Sequence, residues 1–195
     1  FYQLRYDLEL DIIKYSKRGK ILEAYGAIVS LKNEKGEILR RFNHGSDIAN
    51  VAFSWDESLI ATGGKDNSLK VWDELGQPHT FQTTQKCTAY PELECQVNDI
   101  IFPSKQTALS INQSEIDYNE LLLWDIHQEK LLKIQAIGLF KLGAISYAYS
   151  DNQQYMAVII PQAEQWTVQV WKTSDLSLRY TTTISRSQDV KGFWD

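Results

Sequence analysis

The sequence predicts an all-β chain built from repeated four-stranded antiparallel sheets. Two observations carry that reading: short apolar runs alternate with turn-forming residues, and aromatic positions recur at nearly constant spacing. Phe53, Phe102 and Tyr149 lie 49 and 47 residues apart, and Trp72, Trp124 and Trp171 lie 52 and 47 apart. Recurrence at this interval marks stacked structural units. The runs are rich in Val, Ile, Leu and aromatics and are bounded by clusters such as Trp55-Asp56-Glu57-Ser58, Lys65-Asp66-Asn67 and Ser150-Asp151-Asn152, the pattern of strands joined by turns. No window long enough for a helix sustains a helical period as strongly. A lone sheet of this kind leaves two edges and its faces bare. Stacking like sheets about an axis covers them, which makes a β-propeller. A β-sandwich is the competing all-β solution, but it has no reason to repeat a tryptophan at this interval.

The elements follow in order. Residues 1–43 read as a degenerate or partial blade, with candidate strands Tyr6–Lys14, Lys20–Tyr25, Ala27–Leu31 and Glu37–Phe42, and with Leu31 where other units hold tryptophan. Residues 44–83 form a blade from Val51–Ser54, Leu59–Gly64, Leu69–Asp73 and Pro78–Gln82. Residues 84–136 form another, from Asp99–Phe102, Ala108–Ile111, Leu121–Asp125 and Lys130–Gln135, with a long turn before its third strand. Residues 137–184 form a third, degenerate copy from Tyr147–Ser150, Met156–Ile160, Val168–Lys172 and Ser177–Thr183, and residues 185–195 open a further blade. About three to four blades do not easily close a ring. The chain is therefore expected to be a segment joined to further blades in the same polypeptide, or to self-associate, with apolar flat faces exposed at both ends. Its abrupt termini, Phe1-Tyr2-Gln3-Leu4 and Lys191-Gly192-Phe193-Trp194-Asp195, fit that expectation.

Composition narrows the function classes. In 195 residues, 43% are apolar and 23% charged, enough to bury a sizeable core and too apolar for a disordered chain. The net charge of −5 lacks the basic footprint of a nucleic-acid binder. Basic residues do gather at Lys14, Lys17, Arg18 and Lys20, but around a turn, where such a run is usually solvated. No apolar run approaches the ~18 residues of a membrane-spanning helix. Cys87 and Cys95 are too few for a disulfide framework, so a reducing compartment is the default. Eight positions apart, they could meet in space, but the reading adopted is two unlinked thiols in a loop.

His44, Val51-Ala52-Phe53-Ser54, Ile60-Ala61-Thr62-Gly63-Gly64, Asp66 and Val71-Trp72-Asp73 together resemble a complete WD (tryptophan–aspartate) repeat. The resemblance spans roughly residues 27–183, and the dipeptide returns at Trp124-Asp125. It implies a structural hydrogen-bond network of His44, Thr62, Asp66 and Trp72. The indole N–H donates to the Thr62 hydroxyl, the hydroxyl to one ring nitrogen of His44, and the other nitrogen binds the Asp66 carboxylate. A catalytic His–Asp–Thr set is the alternative; it is disfavoured because no nucleophile elbow or metal-ligand set stands nearby. The other units depart from the pattern. Tyr90 stands for the histidine in one, where Ser110 keeps the hydroxyl. Val158 and Lys172 replace the hydroxyl and the aspartate in the other.

Little else carries chemistry. Gly63-Gly64-Lys65-Asp66-Asn67-Ser68 lacks phosphate-loop spacing and reads as a hairpin turn. The three histidines are scattered, so no metal site and no cofactor are expected. Asn112-Gln113-Ser114 matches a glycosylation sequon by accident. Insertions in a repeat protein gather on one rim. That rim should carry Asp47, Lys65, Tyr90, Glu115, Asp117, Tyr118, Gln165 and Trp166, a candidate surface for a protein partner.

Two function classes remain. The favoured one is a non-catalytic protein-interaction scaffold, which the resemblance places in the cytoplasm, with no nucleic acid and no membrane among its partners. The rival is an enzyme or small-ligand binder using the central funnel, for which the inner strands offer a single carboxylate, Asp99.

Overall fold

The computed structural model describes residues 12–73, 75–81, 86–87, 90–114, 118–139 and 146–185. The sequence-predicted strand residues 6–11 and 82, and the further unit beyond residue 185, lie outside them. The described strands form four antiparallel meanders. The first blade holds β1 (Ile12–Tyr15), β2 (Ile21–Tyr25), β3 (Ile28–Lys32) and β4 (Ile38–Asn43). The second holds β5 (Ile48–Phe53), β6 (Ile60–Gly64), β7 (Leu69–Trp72) and β8 (Pro78–Phe81). In the third are β9 (Cys95–Ser104), β10 (Thr107–Ser114), β11 (Tyr118–Asp125) and β12 (Lys130–Leu139). The fourth has β13 (Ser146–Tyr149), β14 (Tyr155–Pro161), β15 (Gln165–Lys172) and β16 (Ser177–Ser185).

Alternation along each strand splits every blade into two faces, and neighbouring blades share cores across them. Leu22, Ala24, Val29 and Phe42 of the first blade pack on Val51, Ile60 and Trp72 of the second. The opposite face of the second, with Leu69, Val71 and Phe81, packs on Val97, Ile100, Leu122 and Trp124 of the third. The third then presents Leu109, Ile111 and Leu121 to Met156, Val158 and Trp171 of the fourth. Trp72, Trp124 and Trp171 thus each face the preceding blade, and two of them meet an aromatic ring there: Trp72 lies 5.1 Å from Phe42 and Trp124 5.4 Å from Phe81, between ring centroids. The near-constant spacing read from the sequence is the spacing of these interfaces.

The first blade corrects one expectation. Trp72 pairs across β6 with Ile60, which pairs with Phe53. The corresponding set in the first blade is Tyr15, Ile21 and Lys32. The tryptophan position is therefore held by Lys32, and Leu31, one residue earlier, points the other way into the core shared with the second blade. Its neighbour across the sheet follows suit. Glu23 stands where Thr62 stands in the second blade, and the Lys32 ammonium donates to the Glu23 carboxylate as the Trp72 indole donates to Thr62.

Gly63 and Gly64 end β6 and do not form the turn, which occupies the following residues. A Cβ on Gly63 would lie 2.3 Å from a methyl of Val97 and 2.6 Å from its Cβ, so bare backbone is what lets the third blade approach. Gly63→Ala is expected to destabilise the chain by about 1–3 kcal/mol through overpacking. Adding Val97→Ala should recover part of that loss in urea unfolding. A double variant no more stable than Gly63→Ala alone would refute the clash.

Among the described residues, both ends of the stack are open. Because Met156, Val158 and Ile160 face the third blade, Tyr155, Ile159, Trp166, Tyr180 and Ile184 lie on the far side, all substantially exposed. On the first blade the far side carries Ile13, Tyr15, Tyr25 and Ile28, also exposed, together with the Glu23–Lys32 pair.

Candidate functional site

His44 lies just after β4, with its amide donating to the Ala27 carbonyl in the β2–β3 turn. That anchor drops the imidazole between the first two blades, where its side chain is fully buried. Nδ1 lies 2.7 Å from the Thr62 hydroxyl, which accepts the Trp72 indole N–H at 3.0 Å. Nε2 lies 2.9 Å from the Ser68 hydroxyl, which donates to Asp66 Oδ1 at 2.7 Å. His44 and Asp66 are themselves 3.8 Å apart. The direct imidazole–carboxylate contact expected from the resemblance is replaced by one passing through Ser68. Pairing every group sets the directions: indole to Thr62, Thr62 to Nδ1, Nε2–H to Ser68, and Ser68 to Asp66.

The electrostatics agree with a neutral ring. Burial lowers the His44 pKa from 6.5 to about 4, helped by the Lys70 ammonium and opposed by the Asp66 charge. Desolvation works against ionisation of Asp66, but hydrogen bonds from the Ser68 hydroxyl and amide keep its carboxyl below the usual range. Gly64 closes the site: a Cβ there would lie 2.1 Å from Asp66 Oδ1 and 2.5 Å from His44 Nε2. The two hydroxyls beside the imidazole, of Thr62 and Ser68, are buried and spend their hydrogens within the network, on Nδ1 and on Asp66. The physical role of the network is to lock the β6–β7 turn to the β4–β5 connection.

Ser68, which the resemblance does not include, sits in a turn pattern that the chain repeats. In Asp66-Asn67-Ser68, the Ser68 amide donates to the Asp66 carboxylate, and the residue between has φ 65°. The same geometry occurs in Asp56-Glu57-Ser58 and Asp175-Leu176-Ser177, with φ 61° and 49° at the central residue. Asp-x-Ser is thus the turn signature of this chain.

The other blades keep part of the device. In the third, the Trp124 indole donates to Ser110 at 3.1 Å, as it would in an intact network. In the fourth, where Val158 lacks a hydroxyl, the Trp171 indole turns to Gln169 at 3.2 Å. Tyr90 does not enter a polar network; it packs edge-on against Tyr118, with centroids 4.7 Å apart.

The candidate rim residues divide. Asp47 and Lys65 come together on one rim: the Lys65 amide donates to the Asp47 carbonyl at 2.8 Å and their charged groups lie 3.8 Å apart, both well exposed. Asn67 links this turn to the next blade, donating to the Lys86 carbonyl and accepting from Asn112. Tyr90 is exposed on the same rim. Tyr118 is not a surface residue: alternation sends it inward with Leu122 and Trp124, and its exposure is 0% beneath Leu93 and the cysteines. Gln165 hydrogen-bonds to Gln162 in the β14–β15 turn, whereas Trp166 belongs to the outer face of the fourth blade, opposite Pro161 and Ile184. Glu115 and Asp117 lie outside the described residues.

The cysteines overturn the expectation of unlinked thiols. Cys87 and Cys95 form a disulfide, because the antiparallel bridge between Lys86 and Glu94 and the hydrogen bond from the Cys87 amide to Leu93 bring their Cα atoms to 4.9 Å. The bond closes the loop that covers Tyr118. Cysteine usage therefore gives no argument for a reducing compartment.

The comparisons with known proteins bear on this architecture. The family model described as "WD domain, G-beta repeat" matches residues 36–73, the stretch that contains the His44 network. The WD40 domain of Toxoplasma gondii coronin superposes with a TM-score of 0.67 at 14% identity, covering 90% of this chain and 45% of that one. The Dos1 propeller gives 0.68 at 14% identity, covering 90% and 47%. The fold is that of a partial β-propeller, and residues 36–73 match a WD repeat.

In sequence, this propeller segment is 28% identical over 145 residues to Protein ROOT INITIATION DEFECTIVE 3 of Arabidopsis thaliana, covering 68% of the chain and 33% of that protein. It thus spans about a third of the curated relative and under half of either solved chain. Asp99, the carboxylate of the inner strands, accepts the Tyr149 hydroxyl at 2.6 Å, and burial together with that charge raises the Tyr149 pKa. Among the described residues, no three His, Cys, Asp or Glu side chains gather as a metal site.

Proposed function

We propose that the segment is a non-catalytic scaffold that presents the rim of the His44 network to a protein partner. WD-repeat propellers commonly mediate protein interactions. The observation that carries the reading is the fixing of that rim. His44, Thr62, Ser68 and Asp66 tie the β4–β5 and β6–β7 turns together, Asn67 ties them to the third blade, and the Cys87–Cys95 bond closes the adjoining loop. Asp47, Lys65 and Tyr90 therefore sit on backbone that loses little freedom when a partner binds. Enzymatic or small-ligand use of the funnel has less support, since Asp99 is already engaged by Tyr149. The open faces of the first and fourth blades suit further blades, from the same polypeptide or from a second copy. Cytoplasmic residence, which the resemblance implies, belongs to the same proposal.

The test is quantitative affinity capture with the chain and with an Asp47→Ala, Lys65→Ala, Tyr90→Ala triple variant. A protein recovered by the first and depleted at least tenfold by the second supports the reading. Equal recovery by both, with turnover of a small molecule by the chain, would reverse it.

A further inference from the structure

The Cys87–Cys95 bond stands apart from the packing that joins the blades. Three cores hold the four blades together, and neither cysteine belongs to any of them. The pair packs instead in a small separate cluster with Tyr118 and Leu93. Cys95 opens β9 in the third blade, opposite Ser114 of β10, whereas Cys87 lies between β8 and β9 in the chain. The bond therefore fastens the connection from the second blade onto the third.

Little apolar burial assists it. Of residues 90–94 all but Leu93 are exposed. The Cys87 amide donates to the Leu93 carbonyl at 2.8 Å and the Leu93 amide to the Tyr90 carbonyl at 3.0 Å. The Lys86–Glu94 ion pair, at 3.1 Å, is open to solvent, where such pairs contribute little. A segment with few buried apolar contacts and solvent-exposed backbone bonds opens locally once its cross-link is gone. That segment holds the Tyr90 ring against the buried Tyr118 ring, and Asn67 ties it at Lys86 to the turn of the His44 network. A small thiol can reach the bond, because Cys95 lines a cleft of about 240 Å³ beside Lys65 and Gln113. With only two cysteines in the chain, the pair can exchange without a competing partner.

We propose that Cys87 and Cys95 form a redox switch that sets the order of this rim. Oxidised, the bond seats Tyr90 and Leu93 on Tyr118; reduced, both leave it and the Tyr90 part of the rim loses its fixed position. The reductant is a low-molecular-weight dithiol. Its thiolate attacks Cys95 Sγ, the Sγ–Sγ bond breaks, and Cys87 departs as a thiolate and takes up a proton. The second thiol then displaces Cys95, so two electrons pass to the protein and the dithiol becomes a cyclic disulfide. Exchange with a small disulfide remakes the bond. The blades stay packed throughout, since none of the three cores loses a member. Control of a protein partner by this switch rests on the function proposed above; the switch itself rests on the geometry alone.

The test is hydrogen exchange read by mass spectrometry on the whole chain, oxidised and after dithiothreitol. Peptides holding the Cys87 and Leu93 amides should exchange at least tenfold faster in the reduced chain, while those of β6 and β11 keep their rates. Two thiols should titrate without denaturant, with circular dichroism unchanged. Cys87→Ser with Cys95→Ser should match the reduced chain and be insensitive to the reductant. Equal exchange in the two states, a rise spread over all four blades, or a bond that dithiothreitol opens only in denaturant would overturn the proposal. These readouts need no partner, so their failure leaves the scaffold reading standing. In the affinity capture, equal recovery by the parent chain and the double serine variant, where the Asp47, Lys65 and Tyr90 variant is depleted, would overturn it as well.

Discussion

Trp72→Ala is expected to lower the unfolding free energy by about 3–5 kcal/mol, the largest single-residue effect in the chain. The indole is 6% exposed and fills the interface between the first two blades against Phe42, Val51 and Ile60. Removing it leaves a cavity that two stiff sheets collapse into poorly. It also takes a donor from Thr62, which is completely buried and already spends its own hydrogen on His44. Trp72→Phe separates these effects: most of the volume stays, the N–H goes, and the cost should fall to roughly 1–2 kcal/mol. Urea unfolding followed by circular dichroism measures both. A Trp72→Ala cost under about 1 kcal/mol would mean that the blades are not held together by this contact.

The second large effect is a loss of stability as the pH falls from about 6.5 to about 4, on the order of 2–4 kcal/mol. His44 is neutral when folded and its pKa is about 4, against 6.5 for a free imidazole. Between those values the unfolded chain takes up a proton that the folded chain refuses, so stability is complete above the upper value and drains away toward the lower. Asp66, with its carboxyl below the usual range, adds a further loss when the pH drops through the ordinary carboxylate region. The decisive comparison is His44→Gln. Its unfolding free energy should be lower at neutral pH and nearly flat from pH 6.5 to about 5, above the carboxylate region, whereas a parent-like slope in that variant would remove His44 as the source.

The sequence disclosed what depends on repetition and hid what depends on a single register. Trp72, Trp124 and Trp171 recur because each fills the same wedge between blades, and an interface repeated in space leaves a repeat in the chain. Within the network, His44, Thr62, Asp66 and Trp72 were legible through the resemblance to a WD repeat, whose positions they occupy. Ser68 was not, although Asp-x-Ser recurs at Asp56 and Asp175, because a serine in a polar turn carries no burial signal. The first blade was misread by one residue, because Lys32 gives no hint in isolation that it replaces a tryptophan. Leu31 looked the better candidate on hydrophobicity alone, yet a shift of one residue along a strand reverses the face. Tyr118 reads as a rim residue from its acidic neighbours in sequence, while alternation along β11 places it in the core. The cysteine pairing depends on an isolated bridge at Lys86 and Glu94, which no local pattern announces.

The Glu23–Lys32 contact makes the two ends of the stack chemically unlike. Covering the fourth blade would remove water from Tyr155, Ile159, Trp166 and Ile184, side chains that gain from losing it. Covering the first would dehydrate an ammonium and a carboxylate, whose mutual attraction repays that loss only when geometry and additional hydrogen bonds are favourable. Equal areas of contact therefore return unequal free energy at the two ends. A further blade or a second copy laid on the fourth blade would gain more per unit area than one laid on the first.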